Sequence, residues 1–402
     1  MDKSNRQQSP KDDDSRIDYG IILSVMLLAL IGLASIYVAA SHDKAVTSPV
    51  KMLITQLVWY VIGAGMIAFI MQFDAEDLWK LATVAYWTGI VLLILVLFLY
   101  SRAYAAKTGA KSWFALGPLT FQPSEVMKPA FILMLGKVIT VHNNEYSLHS
   151  FRSDMILIAK MLSWSIPVLV LLKLQNDFGT MLVFIAILGG MFLVSGIDWK
   201  IILTAGLGAG FIGGGALILV ITDNGRKFLE NFGFKAYQFA RVDTWLNPSQ
   251  DTSNNGYQLW QNMKAIGSGQ LVGKGFNNVD VTVPVRESDM IFSVIGENFG
   301  FIGACTLIFI YFLLIYQMIR VTFDTKNEFY AYVSTGVIMM ILFHVFENIG
   351  MSIGLLPLTG IPLPFISQGG SALLGNMIGI GLIMSMRYHY KSYMFGDTKT
   401  FK

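Results

Sequence analysis

The chain has 402 residues, of which 54% are apolar and 14% charged, against roughly 25% charged in soluble proteins, so a string of water-exposed domains is excluded and a membrane-embedded chain is indicated. A formal charge of +3 is too small to imply a nucleic-acid binder. The one cysteine, Cys305, lies in an apolar stretch, which leaves neither an intramolecular disulfide framework nor a cysteine-built zinc site.

Residues 1–16 are polar and rich in Asp, a composition that predicts a disordered tail. Beyond them, spans are counted from a physical requirement. Lipid offers backbone groups no partners, so a helix needs about 20 apolar residues to cross a hydrocarbon core about 30 Å thick. Charge-free runs of 20 to 22 residues occur at Tyr19–Ala40, Met52–Phe73, Leu81–Ser101, Phe178–Ile197, Ile201–Thr222 and Asn298–Ile319. The first is longer than a secretory h-region and lacks a small-residue cleavage site behind it, so it reads as an uncleaved anchor. Three weaker runs are Pro129–Val141 with Lys137, Met155–Leu172 with Lys160 and Pro167, and Tyr330–Phe346 with His344. The 39-residue uncharged run Asn348–Met386 holds three prolines in its first half and one helix after Gly369-Gly370. The expected fold is all-α: one polytopic membrane domain over residues 17–402 with ten transmembrane helices. An even number puts both ends on one side. Both ends are basic, with Lys3, Arg6, Lys11 and Arg16 at the start and Arg387, Lys391, Lys399 and Lys402 at the finish, which predicts cytoplasmic termini and a second tail over residues 388–402.

Three segments then face outward: Arg102–Ser124, a large extracytoplasmic loop over residues 223–297 between helices 7 and 8, and the Pro-rich Leu356–Gly370. The large loop carries seven Lys/Arg and eight Asp/Glu, with Tyr237, Trp245, Tyr257 and Trp260 interleaved. It reads as a solvated connection or as a functional one, and its length exceeds that of ordinary unstructured loops. Arg102, Lys107 and Lys111 run against the charge bias of short external loops, which an anionic ligand or phospholipid headgroups would explain.

Several motifs occur in a fixed order: Gly109-Ala-Lys-Ser-Trp113, Phe121-Gln-Pro-Ser-Glu125 followed by Lys128, Gln175-Asn-Asp177-Phe-Gly-Thr180, Gly256-Tyr-Gln258, Ala265-Ile-Gly-Ser-Gly269, Pro284-Val-Arg-Glu-Ser-Asp289-Met-Ile-Phe292 and Pro362-Leu-Pro-Phe-Ile-Ser-Gln-Gly-Gly370. Along nearly its whole length the chain resembles the SEDS proteins (shape, elongation, division and sporulation), most closely the RodA branch. The resemblance implies ten transmembrane helices in the bacterial cytoplasmic membrane. It also implies a peptidoglycan glycosyltransferase that polymerises lipid II on the outer face during cell elongation, working with a class B penicillin-binding protein transpeptidase and other membrane proteins of the elongation complex. Two positions depart from the family pattern: Asn176 stands where Pro is usual and Gln270 where Gly is common.

Joining two lipid-linked disaccharides needs a base for the attacking hydroxyl, cations for the departing diphosphate and a groove open to the bilayer. Asp289, at the junction of a polar segment and the apolar run from Met290, is the expected base, because partial burial there raises a carboxylate pKa toward neutrality. By position alone it also reads as an N-terminal helix cap. Glu125 and Lys128, spaced i, i+3, share one helix face; Glu125 is expected to orient Lys128 or bind the acceptor sugar. Trp113 reads as an interfacial anchor or a sugar-stacking ring. Lys111, Arg241, Arg286 and Lys274 are candidates for the diphosphate. Asp177, in a short interhelical turn, could cap a helix, bind a cation or orient a basic residue.

Gly267 to Gly275 resembles a phosphate loop but lacks Gly at Ser268 and Ser or Thr at Gly275; its glycines are expected to permit tight turns or close backbone approach. His142, Glu145 and His149 have no zincin spacing, and His344 is expected to hydrogen-bond a neighbour. No protein-built metal site is indicated; a divalent cation, Mg or Mn, held partly by the substrate diphosphate would need few carboxylates. Glycines from Gly206 to Gly215 are expected to let helices pack closely. The rival readings are a lipid II flippase, which polar residues near mid-membrane would favour, and a scaffold for the transpeptidase, which would not need Asp289.

Overall fold

The computed structural model describes residues 16–43, 46, 48–117, 119–146, 150–231, 236–249 and 255–393. In chain order these form α1 (Tyr19–His42), α2 (Pro49–Ile70), α3 (Ala75–Leu99), α4 (Arg102–Thr108), an antiparallel hairpin of β1 (Phe114–Leu116) and β2 (Leu119–Phe121), and α5 (Pro123–Glu145). Then follow α6 (Phe151–Leu174), α7 (Phe178–Val194), α8 (Trp199–Ile221), α9 (Asp223–Asn231), α10 (Ala236–Leu246), α11 (Asn255–Ser268), α12 (Ile291–Thr325), α13 (Glu328–Ser352) and α14 (Gly370–Tyr393). Among the described residues, seven helices are long and apolar enough to cross a membrane: α1, α2, α3, α6, α8, α12 and α13. The fold is an all-helical, multi-pass membrane bundle.

Side-chain oxygens set the helix starts. Asp18, Ser48, Asp74, Ser150, Asp198 and Asn327 each accept a backbone N–H of the first turn, satisfying donors that no helical carbonyl reaches. The bundle centre is α5 and α13, which pack on each other; α3 and α14 flank α5, α7 and α12 flank α13, and α1 lies on α12. Outward faces remain apolar, as with Phe98 and Phe309, because lipid rather than water meets them.

Four expectations from the sequence change. The eighth helix begins at Ile291 instead of Asn298, because Glu297, whose charge ended the apolar run, is fully buried and paired with Lys274 and Arg286. The connection between α8 and α12 is correspondingly not a plain one: α9, α10 and α11 lie within it. Residues 388–393 are the last turns of α14 rather than tail, and Arg16 lies 5.7 Å above the Tyr388 ring, bringing the start of α1 and the end of α14 together. Residues 1–15 and 394–402 lie outside the described residues. The glycines of α8 do not serve close packing: Gly206, Gly208, Gly210, Gly213, Gly214 and Gly215 have no atom within 4 Å of a built Cβ, and α8 has no buried residue.

Two irregular segments shape the interior. The helical path of α12 breaks at Gly300 (φ 63°, ψ −159°), and residues 270–275 fill the break. Phe301 and Ile302 donate their N–H groups to the carbonyls of Gln270 and Leu271, while the carbonyls of Glu297 and Asn298 accept from Lys274 and Gly275. Broken helices need such replacement partners. The glycines of the rejected phosphate-loop motif thus admit backbone to backbone; Gly273 and Gly275 have φ of 81° and 94°. The other segment, residues 356–369, forms no regular helix and is largely buried from Ile361 to Ser367. Its carbonyls are met by side chains: Tyr60 donates to Phe365 O at 2.5 Å, Asn348 to Ile361 O at 2.8 Å and Tyr311 to Pro364 O.

Gly300→Ala should lower the melting temperature in detergent by the equivalent of about 1–3 kcal/mol, since its φ suits glycine and an added Cβ would stand 2.4 Å from Gly273 N. Gly206→Ala, in open space, should leave the melting temperature unchanged or raise it. Equal melting of Gly300→Ala and wild type would contradict this account of the break.

Candidate active site

The chain ahead of α12 makes a tight turn over residues 285–290. Val285 holds φ 55°, and its carbonyl accepts from Ser288 N at 3.3 Å and Met290 N at 3.4 Å. Three successive carbonyls of this turn are bound from the opposite side. Glu287 O accepts from Gln368 N (2.9 Å), Ser288 O from Ser367 Oγ (2.7 Å) and Asp289 O from Asn348 Nδ2 (2.8 Å). Asn348 also donates to Ile361 O, so one buried amide ties the turn to the Pro-rich segment.

The Asp289 side chain is half-buried at the wall of a cavity of 110 Å³. Around it stand Thr244 and Trp245 of α10, Gln258 and Leu259 of α11, and Leu358 to Gly360. This volume is below the roughly 300–1,000 Å³ of ordinary ligand pockets, enough for a hydroxyl and an edge of a sugar ring. The helix-cap alternative fails: α12 is preceded by Met290 as its cap position, with no side-chain bond to the first turn. The carboxylate instead accepts one weak bond, from Ser288 Oγ at 3.3 Å. Burial pushes the Asp289 carboxyl from 3.8 up to about 7; the Ser288 bond opposes this and the Glu287 charge adds to it. A carboxylate titrating there can take a proton near neutrality.

Two of the four expected cations have other duties. Arg286 is buried, pairs with Glu297 at 2.5 Å and donates to Ser293 Oγ, Ser293 O and Val281 O, so its guanidinium is spent inside the fold. Lys274 bridges Asp280 (2.7 Å) and Glu297 (3.2 Å), which raises its pKa. Lys111 is exposed, with its ammonium 5.4 Å from the Tyr100 ring centroid. The Lys107 and Arg241 side chains lie outside the described residues.

Glu125 and Lys128 are a buried pair, not a surface one. Lys128 Nζ lies 2.8 Å from both carboxylate oxygens and 3.0 Å from His344 Nε2 of α13, and His344 Nδ1 is 2.6 Å from Met340 O, the neighbour bonding expected of it. With both side chains at most 5% exposed, the pair ties α5 to α13. Trp113 is half-buried and stacks on Tyr104 at 6.0 Å between centroids. Asp177 caps α7, accepting from Thr180 N at 3.3 Å, while its other oxygen accepts from Gln122 Nε2 at 2.8 Å. The turn before it has Asn176 at φ 58°, which asparagine tolerates and the family's proline cannot adopt. Gln270, at φ 49°, likewise stands where glycine would be unstrained. His142 bonds Ser153 at 3.0 Å; His149 lies outside the described residues.

The Lys111 and Asp289 regions are joined through backbone. Lys111 N donates to Gln175 O, and Gly179, beyond the Asp177 turn, sits so that an added Cβ would be 3.1 Å from Thr359 O. Sequence reasoning missed Trp245, Thr359, Glu297 and Asn348. Trp245 had a signal, an aromatic ring amid charges in the long segment over residues 223–297. Glu297 and Asn348 had none, because each acts through partners distant in sequence.

With a folded-state pKa above the unfolded value, Asp289 favours the fold when protonated, so its contribution declines as pH rises from about 4 through about 7. Asp289→Asn should therefore raise the melting temperature over wild type more at about pH 8 than at about pH 5. A gain independent of pH would contradict the raised pKa.

Residues 19–392 match the family model described as "Cell cycle protein", that of FtsW, RodA and SpoVE. The chain is 29% identical over 380 residues to stage V sporulation protein E of Bacillus subtilis, which covers 92% of this chain and 96% of that one. It is 34% identical over 307 residues to the peptidoglycan glycosyltransferase MrdB of Escherichia coli, covering 75% and 77%. Among solved structures it is similar to a chain of a peptidoglycan synthase complex coordinating polymerization and crosslinking, with TM-score 0.76, 25% identity and coverage of 95% and 99%. In fold it is similar to the rod shape determining protein RodA of Thermus thermophilus, with TM-score 0.65, 23% identity and coverage of 94% and 99%. The chain belongs to the FtsW, RodA and SpoVE family of cell cycle proteins.

Proposed function

We propose that this chain is a peptidoglycan glycosyltransferase that joins lipid II molecules into glycan strands at the outer face of the bacterial cytoplasmic membrane, in cell elongation. The single observation that carries the site assignment is Asp289: a carboxylate with one weak hydrogen bond among the described residues, at the wall of a cavity, its pKa pushed by burial up to about 7. Kinship with the glycosyltransferase MrdB supports the activity. Similarity to a complex that both polymerizes and crosslinks supports a class B transpeptidase as partner. In this reading all ten helices of 17 residues or more span the membrane, α5, α7 and α14 among them, with both termini cytoplasmic and α9 to α11 outside.

A sugar hydroxyl of one lipid II enters the cavity and gives its proton to the Asp289 carboxylate as its oxygen bonds to the anomeric carbon of the other. The bond from that carbon to the diphosphate oxygen breaks on the opposite side, the configuration inverts, and polyprenyl diphosphate leaves with the electron pair. Because Arg286 and Lys274 are bound to Glu297, the diphosphate falls to Lys111, on the exposed approach to the Asp177 turn, with Arg241 as the second candidate. A divalent cation carried by the diphosphate would supplement them. Trp113 stacks a sugar ring at the same entrance. Glu125 and Lys128 act from within, holding α5 against α13.

Purified chain incubated with lipid II should yield polymer, and Asp289→Ala should lose about 100-fold or more of the rate while remaining folded. Lys111→Ala should raise KM for lipid II by about tenfold. Normal polymerisation by Asp289→Ala would remove the base assignment, and lipid II translocation without polymer would replace the enzyme reading by the flippase.

A further inference from the structure

Glu297 is the most fully engaged carboxylate of the outer region. Its residue is 0% exposed, and its two oxygens divide the work. Oε1 accepts from Asp280 N (2.9 Å), Val281 N (3.3 Å) and Lys274 Nζ (3.2 Å); Oε2 accepts from Arg286 Nη2. Arg286 carries the connection on: its other contacts, Ser293 Oγ, Ser293 O and Val281 O, bracket the turn that presents Asp289. That turn is strained. Val285 is β-branched and held at φ 55°, a conformation costing about 1–3 kcal/mol that persists only where surrounding contacts impose it. On the other side the same turn is gripped only through backbone carbonyls, by Gln368, Ser367 and Asn348. Replacing a buried ion pair by apolar side chains often stabilises a protein, so the retained charges here point to geometry rather than stability.

We propose that Glu297 is a positioning residue: through Arg286 and the backbone of Asp280 and Val281 it clamps the 285–290 turn onto α12 and so fixes the direction of the Asp289 carboxylate toward the acceptor hydroxyl. Arg286 and Glu297 act as one unit, and Val285 is the strained element the unit holds. Glu297 touches no substrate. The inference rests on the glycosyltransferase reading for its kinetic consequence, but the clamp itself is a property of the fold and can be read without substrate.

The test compares wild type with Glu297→Gln, Arg286→Met and the double variant in the full chain, measuring kcat and KM for lipid II and hydrogen exchange over residues 279–290. Glu297→Gln should lower kcat by about tenfold or more while KM stays within about threefold, because orientation is lost and binding is not. Exchange over 279–290 should quicken while that of α5 and α13 does not. The double variant, which leaves no unpaired buried charge and keeps the experiment open if a single variant fails to fold, should be no slower than the slower single one. Adding Val285→Gly, which removes the φ cost, should recover about threefold of the activity lost in Glu297→Gln. Variants that polymerise within about twofold of wild type, a loss confined to KM, or additive losses in the double variant would overturn the clamp. Should wild type make no polymer, the glycosyltransferase reading fails, and unchanged exchange in Glu297→Gln would then discard the clamp as well.

Discussion

The backbone of residues 356–369 forms no regular helix although it is largely buried from Ile361 to Ser367, and the other features of the site depend on how that is tolerated. Each carbonyl or N–H left unpaired in such surroundings costs several kcal/mol, in rough terms. Gln56 and Tyr60 of α2, Tyr311 of α12 and Asn348 of α13 meet these groups. The segment in turn reaches the remaining parts: Ser367 and Gln368 hold the Asp289 turn and Thr359 lies against Gly179, while just beyond it Ser371 of α14 donates to Thr120 O and accepts from Gln122 N. Pro357, Pro362 and Pro364 suit this role because a proline carries no N–H that would require a partner.

Within that frame, electrostatic pairing is uneven. Asp177 and Glu297 each have two or more charged or N–H partners, Glu125 holds the Lys128 ammonium on both of its oxygens, and Lys128, Lys274 and Arg286 are correspondingly engaged. Among the described residues, Asp289 has a single weak hydroxyl bond. A carboxylate deprived of compensation in a partly desolvated wall holds its proton to higher pH, and that is the property a general base needs. The contrast with Glu125, Asp177 and Glu297, set by partners rather than residue type, is what supports the proposal of Asp289 as the base.

Much of this was legible in the sequence. The apolar runs placed the helices, Glu125 and Lys128 were recognised as sharing a face, and Asp289 stood out at the polar–apolar junction. What failed did so for a common reason. Glu297 ended a span on paper because a charge counts against burial, whereas two distant cations and two N–H groups make its burial tolerable. Arg286 and Lys274 looked free for phosphate because their partner was assigned to solvent. Asp177 was open among three roles until Gln122, 55 residues earlier, supplied the second bond that fixed it. The α8 glycines resembled a packing stripe, yet spacing along one helix says nothing about whether a second helix lies beside it.

The most direct test of Asp289 as the base is the pH dependence of kcat/KM for lipid II polymerisation by the purified chain between about pH 5 and pH 9. The rate should climb about tenfold per pH unit on the acid side and level off above an apparent pKa of about 7. A profile flat across this range, or one bending near an ordinary carboxylate pKa of about 4, would contradict it.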